Sequence, residues 1–211
     1  MKPFFDLSLY LVTDRSLSLG RPLEEVVESA VKGGATMVQL REKDASTLEF
    51  YQLAVKLKKL LKPYNVPLII NDRLDIALAC DAEGLHIGQN DMPYDIARKL
   101  LGENKIIGLS VENVSDTIEA NKLDIDYIGI SPVFGTPTKT DTAKPLGLEG
   151  IREITNISKH PAVGIGGINK LNAKDIIESG ADGISVVSAI MSAENPEKAS
   201  RELLSIVEQS K

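Results

Sequence analysis

The chain has 211 residues, 43% of them hydrophobic, which is enough for one sizeable core and short for two full domains. Its 24 basic and 30 acidic side chains leave a net charge of −6 spread along the sequence, which excludes the basic footprint of a nucleic-acid or anionic-membrane binder. No run of about eighteen apolar residues could span a bilayer, the N-terminus MKPFFDLSLYLVTD lacks the basic flank and cleavage site of a signal peptide, and Cys80 stands alone, so a cytoplasmic protein with one buried structural thiol is expected.

From the N-terminus onward, the hydrophobic period alternates eight times between strand-like and helix-like. The predicted strands are LYLVTD (9–14), MVQLREK (37–43), PLIIND (67–72), GLHIGQ (84–89), KIIGLSVE (105–112), YIGISPVF (127–134), AVGIGGI (162–168) and GISVVSAI (183–190). The first intervening helix, PLEEVVESAVKGG, opens at Pro22 with Glu24 and Glu25 in its first turn and closes at Gly33 and Gly34. The last, PEKASRELLSIVEQSK, carries Leu203, Leu204 and Val207 on one stripe and should seal the outside of the fold.

Near-continuous apolar strands separated by amphipathic helices imply parallel strands covered by helices. Eight such units over residues 1–211 predict an α/β fold that is a single (β/α)8 barrel, the TIM barrel. An open doubly wound sheet fits less well, because no G-x-G-x-x-G follows the first strand.

A barrel of this kind keeps its site at the C-terminal ends of the strands, and here those ends are polar. Gln39, Arg41 and Lys43 share one face of the second strand by the period of two; Asn71 and Asp72 end the third; Gln89 and Asp91 follow the fourth; Ser110 and Glu112 end the fifth. Gly129, Ser131, Gly164 and Gly166 stand where a core would carry branched side chains, and are expected to leave room for a ligand. Asp72 and Asp91 on neighbouring strand ends suit Mg²⁺, which completes its shell with waters and phosphate oxygens; each also reads as a helix cap, Asp91 before the helix of Tyr94 to Leu101 and Asp72 before the helix starting at Leu74. GIGGI (164–168) exposes backbone N–H groups where barrels commonly bind phosphate, close to Val187 and Ser188 at the end of the eighth strand. His86 reads as a hydrogen-bonded core residue and His160 lies in a connection on the far rim, so no histidine shuttle is expected.

VQLREKD, IINDR, GLHIGQND, GTPTKTD, GIGGI and SVVSAI, in this order and spacing, closely resemble the thiamine-phosphate synthase family over essentially the whole chain. The resemblance implies a (β/α)8 barrel that joins a hydroxymethylpyrimidine diphosphate to a thiazole phosphate with Mg²⁺, releasing pyrophosphate through a pyrimidine-stabilised carbocation. By matching motif it implies that Gln39, Leu40, Arg41, Glu42 and Lys43 form the pyrimidine-diphosphate segment, with Asn71, Ser110 and Lys139 on the same substrate. Asp72 and Asp91 would hold Mg²⁺, and Thr136, Pro137, Thr138, Gly167, Val187 and Ser188 would cradle the thiazole phosphate. Arg41, Lys43, Ser110 and Lys139 are then the expected catalytic set, and the partners are two small molecules, with homodimer and monomer both open. The chain departs from the family at Ser131, where glycine is frequent, and at Glu112, where a neutral or imidazole side chain is usual. A thiazole tautomerase of the same superfamily, expected to lack the diphosphate machinery, and a non-catalytic precursor-binding protein are the alternatives.

Overall fold

The computed structural model describes residues 2–135 and 144–211. Eight strands, β1 (Leu9–Val12), β2 (Met37–Leu40), β3 (Leu68–Asn71), β4 (Gly84–Ile87), β5 (Ile106–Val111), β6 (Tyr127–Ile130), β7 (Ala162–Ile165) and β8 (Gly183–Val186), pair in parallel in sequence order, and β8 closes on β1. Around them run α1 (Leu23–Lys32), α2 (Thr47–Leu61), α3 (Leu74–Ala79), α4 (Tyr94–Leu101), α5 (Val114–Ala120), α6 (Gly147–Ile157), α7 (Ala173–Glu178), α8 (Ser188–Met191) and α9 (Pro196–Ser210). The predicted (β/α)8 barrel is therefore the fold, and no helix of the described residues is long and apolar enough to cross a membrane.

The period of two turns alternate residues of a strand toward the helices and toward the barrel interior. In β1, Leu9 and Leu11 pack outward with the helices while Tyr10 points into the barrel; in β2, Val38 and Leu40 point out and Met37 points in. The inner core is small: Leu7, Tyr10, Met37, Ile69, Ile106, Tyr127 and Val163 fill the barrel from the N-terminal end. Gly108 faces the same interior, and a Cβ there would collide with the Tyr127 ring, so its bareness is what lets that phenol lie across the barrel. Above this plug the inward positions turn polar, which leaves a hollow at the C-terminal end.

The helices are fixed by local signals. Ser46 and Glu49 form a reciprocal capping box at the start of α2, Asn113 caps α5, and Asn195 caps α9 with Pro196 in its first turn. Leu203 and Val207 of α9 are buried and α9 packs on α1, where the backbone at Glu197 comes close enough to Gly33 to forbid a side chain.

The strand predictions start one residue early at β3 and β5 and otherwise overrun only at the C-terminal end. MVQLREK is strand as far as Leu40 and YIGISPVF as far as Ile130; the chain then leaves the ladder at the C-terminal rim. One inward assignment is corrected. Gly164 faces out, where a Cβ would meet Ile176, Ile168 and Val133 at 3.0–3.4 Å, so its smallness admits α7 rather than a ligand.

Candidate active site

The hollow is a cavity of about 390 Å³ at the C-terminal end of the barrel, lined from all eight strands or the turns that follow them. Its floor is a hydrogen-bonded chain that runs across the barrel. Gln39 Nε2 donates to the Tyr10 hydroxyl at 2.7 Å, the Tyr10 and Tyr127 hydroxyls share a bond of 2.8 Å, Tyr127 Oη lies 2.9 Å from His86 Nδ1, and His86 Nε2 lies 2.9 Å from Ser110 Oγ. Five residues on β1, β2, β4, β5 and β6 are thus registered by one network. Burial pushes the Tyr10 and Tyr127 hydroxyls well above the usual phenol range, so both keep their protons. If Tyr10 accepts from Gln39 and gives its own proton to Tyr127, Tyr127 donates to His86 Nδ1 and His86 Nε2–H donates to Ser110. The Ser110 proton is then directed at the cavity.

One wall is charged. Arg41 and Lys43 from the end of β2, Asn71 and Asp72 from β3, and Asp91 from the turn after β4 all line the cavity. Asp72 adopts a left-handed φ of 62°, a conformation that Asp tolerates better than most residues, while its N–H still donates to His86 O at 2.9 Å. Asp91 Oδ2 accepts from Gly88 N at 2.7 Å. Among the described residues neither carboxylate is a helix N-cap: the N-cap of α4 is Pro93 and that of α3 is Arg73, and neither makes a side-chain cap bond. The capping alternative is thereby set aside.

No cluster of three or more His, Cys, Asp or Glu able to hold a metal exists among the described residues. Two carboxylates on one cavity rim nevertheless fit a hard cation such as Mg²⁺, which takes few protein oxygens and keeps places for water and phosphate. Structural Zn²⁺, needing four N or S ligands, does not fit this donor set.

The opposite wall is backbone. Gly166 and Gly167 (φ of 106° and 66°) with Val187 and Ser188 line the same cavity. The turn is fixed by its carbonyls: Ile165 O accepts from Val133 N at 2.9 Å, Gly166 O from Phe134 N at 3.1 Å, and Gly167 O from Asn172 Nδ2 at 3.1 Å.

Of the residues expected from sequence, Gln39, Arg41, Lys43, Asn71, Asp72, Asp91, Ser110, Gly167, Val187 and Ser188 meet at this cavity. Gly129, Ser131, Glu112 and Gly166 are there too. Leu40 and Glu42 are not. Leu40 is fully buried among the outer aliphatics, and Glu42 turns away to pair with Arg15, so only their backbones can face a ligand. Thr136, Pro137, Thr138 and Lys139 lie outside the described residues. Tyr10 and the ring of His86 line the cavity without having been foreseen there. For Tyr10 the signal was present: positions 10 and 12 share one face of β1, as 39 and 41 do on β2.

The family model "Thiamine monophosphate synthase" matches residues 9–190. The chain is 54% identical over 198 residues to a thiamine-phosphate synthase of Clostridium novyi, covering 94% of this chain and 97% of that one. It is 56% identical over 203 residues to one of Syntrophomonas wolfei, covering 96% and 97%. Among solved structures, a thiamine phosphate pyrophosphorylase from Pyrococcus furiosus superposes with a TM-score of 0.89 at 44% identity, over 97% of this chain and 96% of that one.

Proposed function

The chain belongs to the thiamine monophosphate synthase family, transferases of thiamine biosynthesis, and from that membership we propose how its cavity joins a pyrimidine diphosphate to a thiazole phosphate. The observation that carries the reading is the pairing, within one cavity, of a charged wall from β2 to β4 with a glycine-rich backbone wall at β7 and β8. Two phosphorylated substrates need two anion sites of different strength, and a diphosphate that must leave needs the stronger one.

The reaction breaks the bond between the pyrimidine methylene and the diphosphate oxygen, and both electrons go to oxygen. The thiazole nitrogen supplies the pair for the new bond. Charge builds on the leaving diphosphate, so Arg41 and Lys43 stabilise the transition state more than the ground state. Asp72 and Asp91 would hold Mg²⁺, which supplies positive charge to a leaving diphosphate when bound. Gln39 and Ser110, fixed by the floor network, orient the pyrimidine ring so that its methylene faces the second substrate. The turn at Gly167 and the start of α8 hold the thiazole phosphate through backbone N–H groups. The attacking nitrogen carries no proton to remove. That agrees with a floor in which both ring nitrogens of His86 are already hydrogen-bonded. The expected roles of Thr136, Pro137 and Thr138 on the thiazole phosphate and of Lys139 on the diphosphate belong to the same proposal, as does residence in the cytoplasm.

The test is calorimetric binding of each precursor alone, with and without Mg²⁺. The pyrimidine diphosphate should tighten by about a hundredfold with the metal, as loss of a charged partner in an anion site costs about 3 kcal/mol. The thiazole phosphate should bind alike in both conditions. Metal-independent binding of both would contradict the assignment of the charged wall.

A further inference from the structure

The turns after β1 and β2 are joined by an arrangement that the reaction described above does not use. Consecutive residues Asp14 and Arg15 face consecutive residues Arg41 and Glu42 with the signs crossed. Arg15 Nε donates to Glu42 Oε2 at 2.8 Å and Arg15 Nη2 lies 2.6 Å from the same oxygen. Arg41 Nη1 stands 3.7 Å from Asp14 Oδ2, an ion pair too long for a hydrogen bond. Asp14 is itself fixed, since its Oδ1 accepts from Ser16 N at 3.0 Å and Ser16 Oγ at 2.6 Å. The backbones are tied as well, through Thr13 N to Gln39 O at 2.9 Å and Arg41 N to Thr13 Oγ1 at 3.1 Å.

Two atoms of this arrangement are unsatisfied. Arg41 Nη2 and Glu42 Oε1 are buried and have no hydrogen-bond partner among the described residues. Their positions differ in meaning. Arg41 lines the cavity, whereas Glu42 points to the outside of the barrel and its side chain is 4% exposed. A carboxylate buried to that degree is costly without its cation, and burial already pushes the Glu42 carboxyl above the usual carboxylate range against the pull of Arg15.

We propose that Arg15, together with Asp14, is a positioning residue for substrate diphosphate: Arg15 neutralises Glu42 and so holds the β2 turn in the one conformation that aims Arg41 into the cavity. Without Arg15, Glu42 either reaches water or takes up a proton, and in both cases the pair that fixes the turn is lost. Because it is the next residue in the chain, Arg41 moves with it. The intact Arg15–Glu42 pair adds little net stability, since its arginine is half-exposed, so its effect is on geometry. This inference rests on the proposed function, through the assignment of Arg41 to the diphosphate.

The test is a cycle of Arg15→Gln, Glu42→Gln and the double variant, read as KM for each precursor and as the affinity for inorganic pyrophosphate with Mg²⁺ by calorimetry. Arg15→Gln should raise the diphosphate KM, and weaken pyrophosphate binding, by about tenfold. The thiazole phosphate KM should stay within about twofold, the size of ordinary non-coupled effects. The double variant, which removes the stranded charge, should recover most of the loss. Equal rises in both KM values, no change in pyrophosphate affinity, or a double variant as poor as Arg15→Gln would overturn the positioning role. A wild-type protein that binds pyrophosphate through this cycle and yet couples no precursors would instead overturn the proposed function.

Discussion

Tyr127 does not line the cavity, yet its hydroxyl is shared by two side chains that do, Tyr10 and His86. Tyr127→Phe keeps the packing over Gly108 and removes the hydrogen bonds that its hydroxyl shares with Tyr10 and His86, which costs about 1–3 kcal/mol and lowers Tm by several degrees for a chain of this size. Turnover should fall by about ten- to a hundredfold, because Gln39 and Ser110 lose their common register. A variant that melts early but turns over normally would make the floor a matter of packing alone. At Asp91 the balance is opposite. Asp91→Ala removes one hydrogen bond to Gly88 N, for a Tm drop of about 2–4 °C, but should lower kcat/KM by about a hundredfold or more. If activity falls only as far as melting explains, the carboxylate serves the turn and not a metal. The alternation of side chains made Arg41 and Lys43 legible in the sequence, and the same alternation sends Leu40 and Glu42 outward. What no pattern in one chain can state is which residue of another turn meets an outward carboxylate, and so Arg15 was not foreseen.

Among the elements, the strands were legible as far as their ladders ran. Their alternation continues past the last ladder bond, as in REK after β2 and GGI after β7, because inward parity persists for a residue or two where the chain has begun to turn. Gly164 shows the other limit. A small residue in a strand signals close approach but not from which side, and here the approach is Ile176 of α7. On the far rim, Asp81 joins α2 to the segment before β5. Lys105 Nζ lies 2.5 Å from its Oδ1 and Lys58 Nζ 2.9 Å from its Oδ2, and the hydrogen bond from Lys105, then that from Lys58, pulls the Asp81 pKa from 3.8 down to about 2. A folded pKa below the unfolded one means that the contribution is present above 3.8 and is lost as pH falls toward 2. Melting followed from pH 5 to pH 2 should therefore fall less steeply in Asp81→Asn, which also tolerates the left-handed φ of 54°. Parallel curves for the two proteins would show that these exposed pairs contribute nothing measurable.

At the scale of the molecule, an acidic chain with a net charge of −6 must bind two anions. On the proposed function it would do so by focusing cations and backbone amides at one end of a barrel whose other end is closed by Leu7, Tyr10, Met37 and their neighbours. The count of eight alternations made the barrel readable because closure with parallel strands admits few other topologies. The floor network was not readable, since it depends on which inward side chains meet across the barrel axis. The central claim is that one cavity brings both precursors together and expels pyrophosphate. The most direct measurement supplies both precursors at saturation and quantifies thiamine phosphate and pyrophosphate with Mg²⁺, after chelation, and after the metal is restored. The account predicts equal amounts of the two products, formed only with metal and only when both precursors are present. Release of pyrophosphate without the thiazole phosphate at the same rate, or conversion of the thiazole alone with no coupled product, would contradict it.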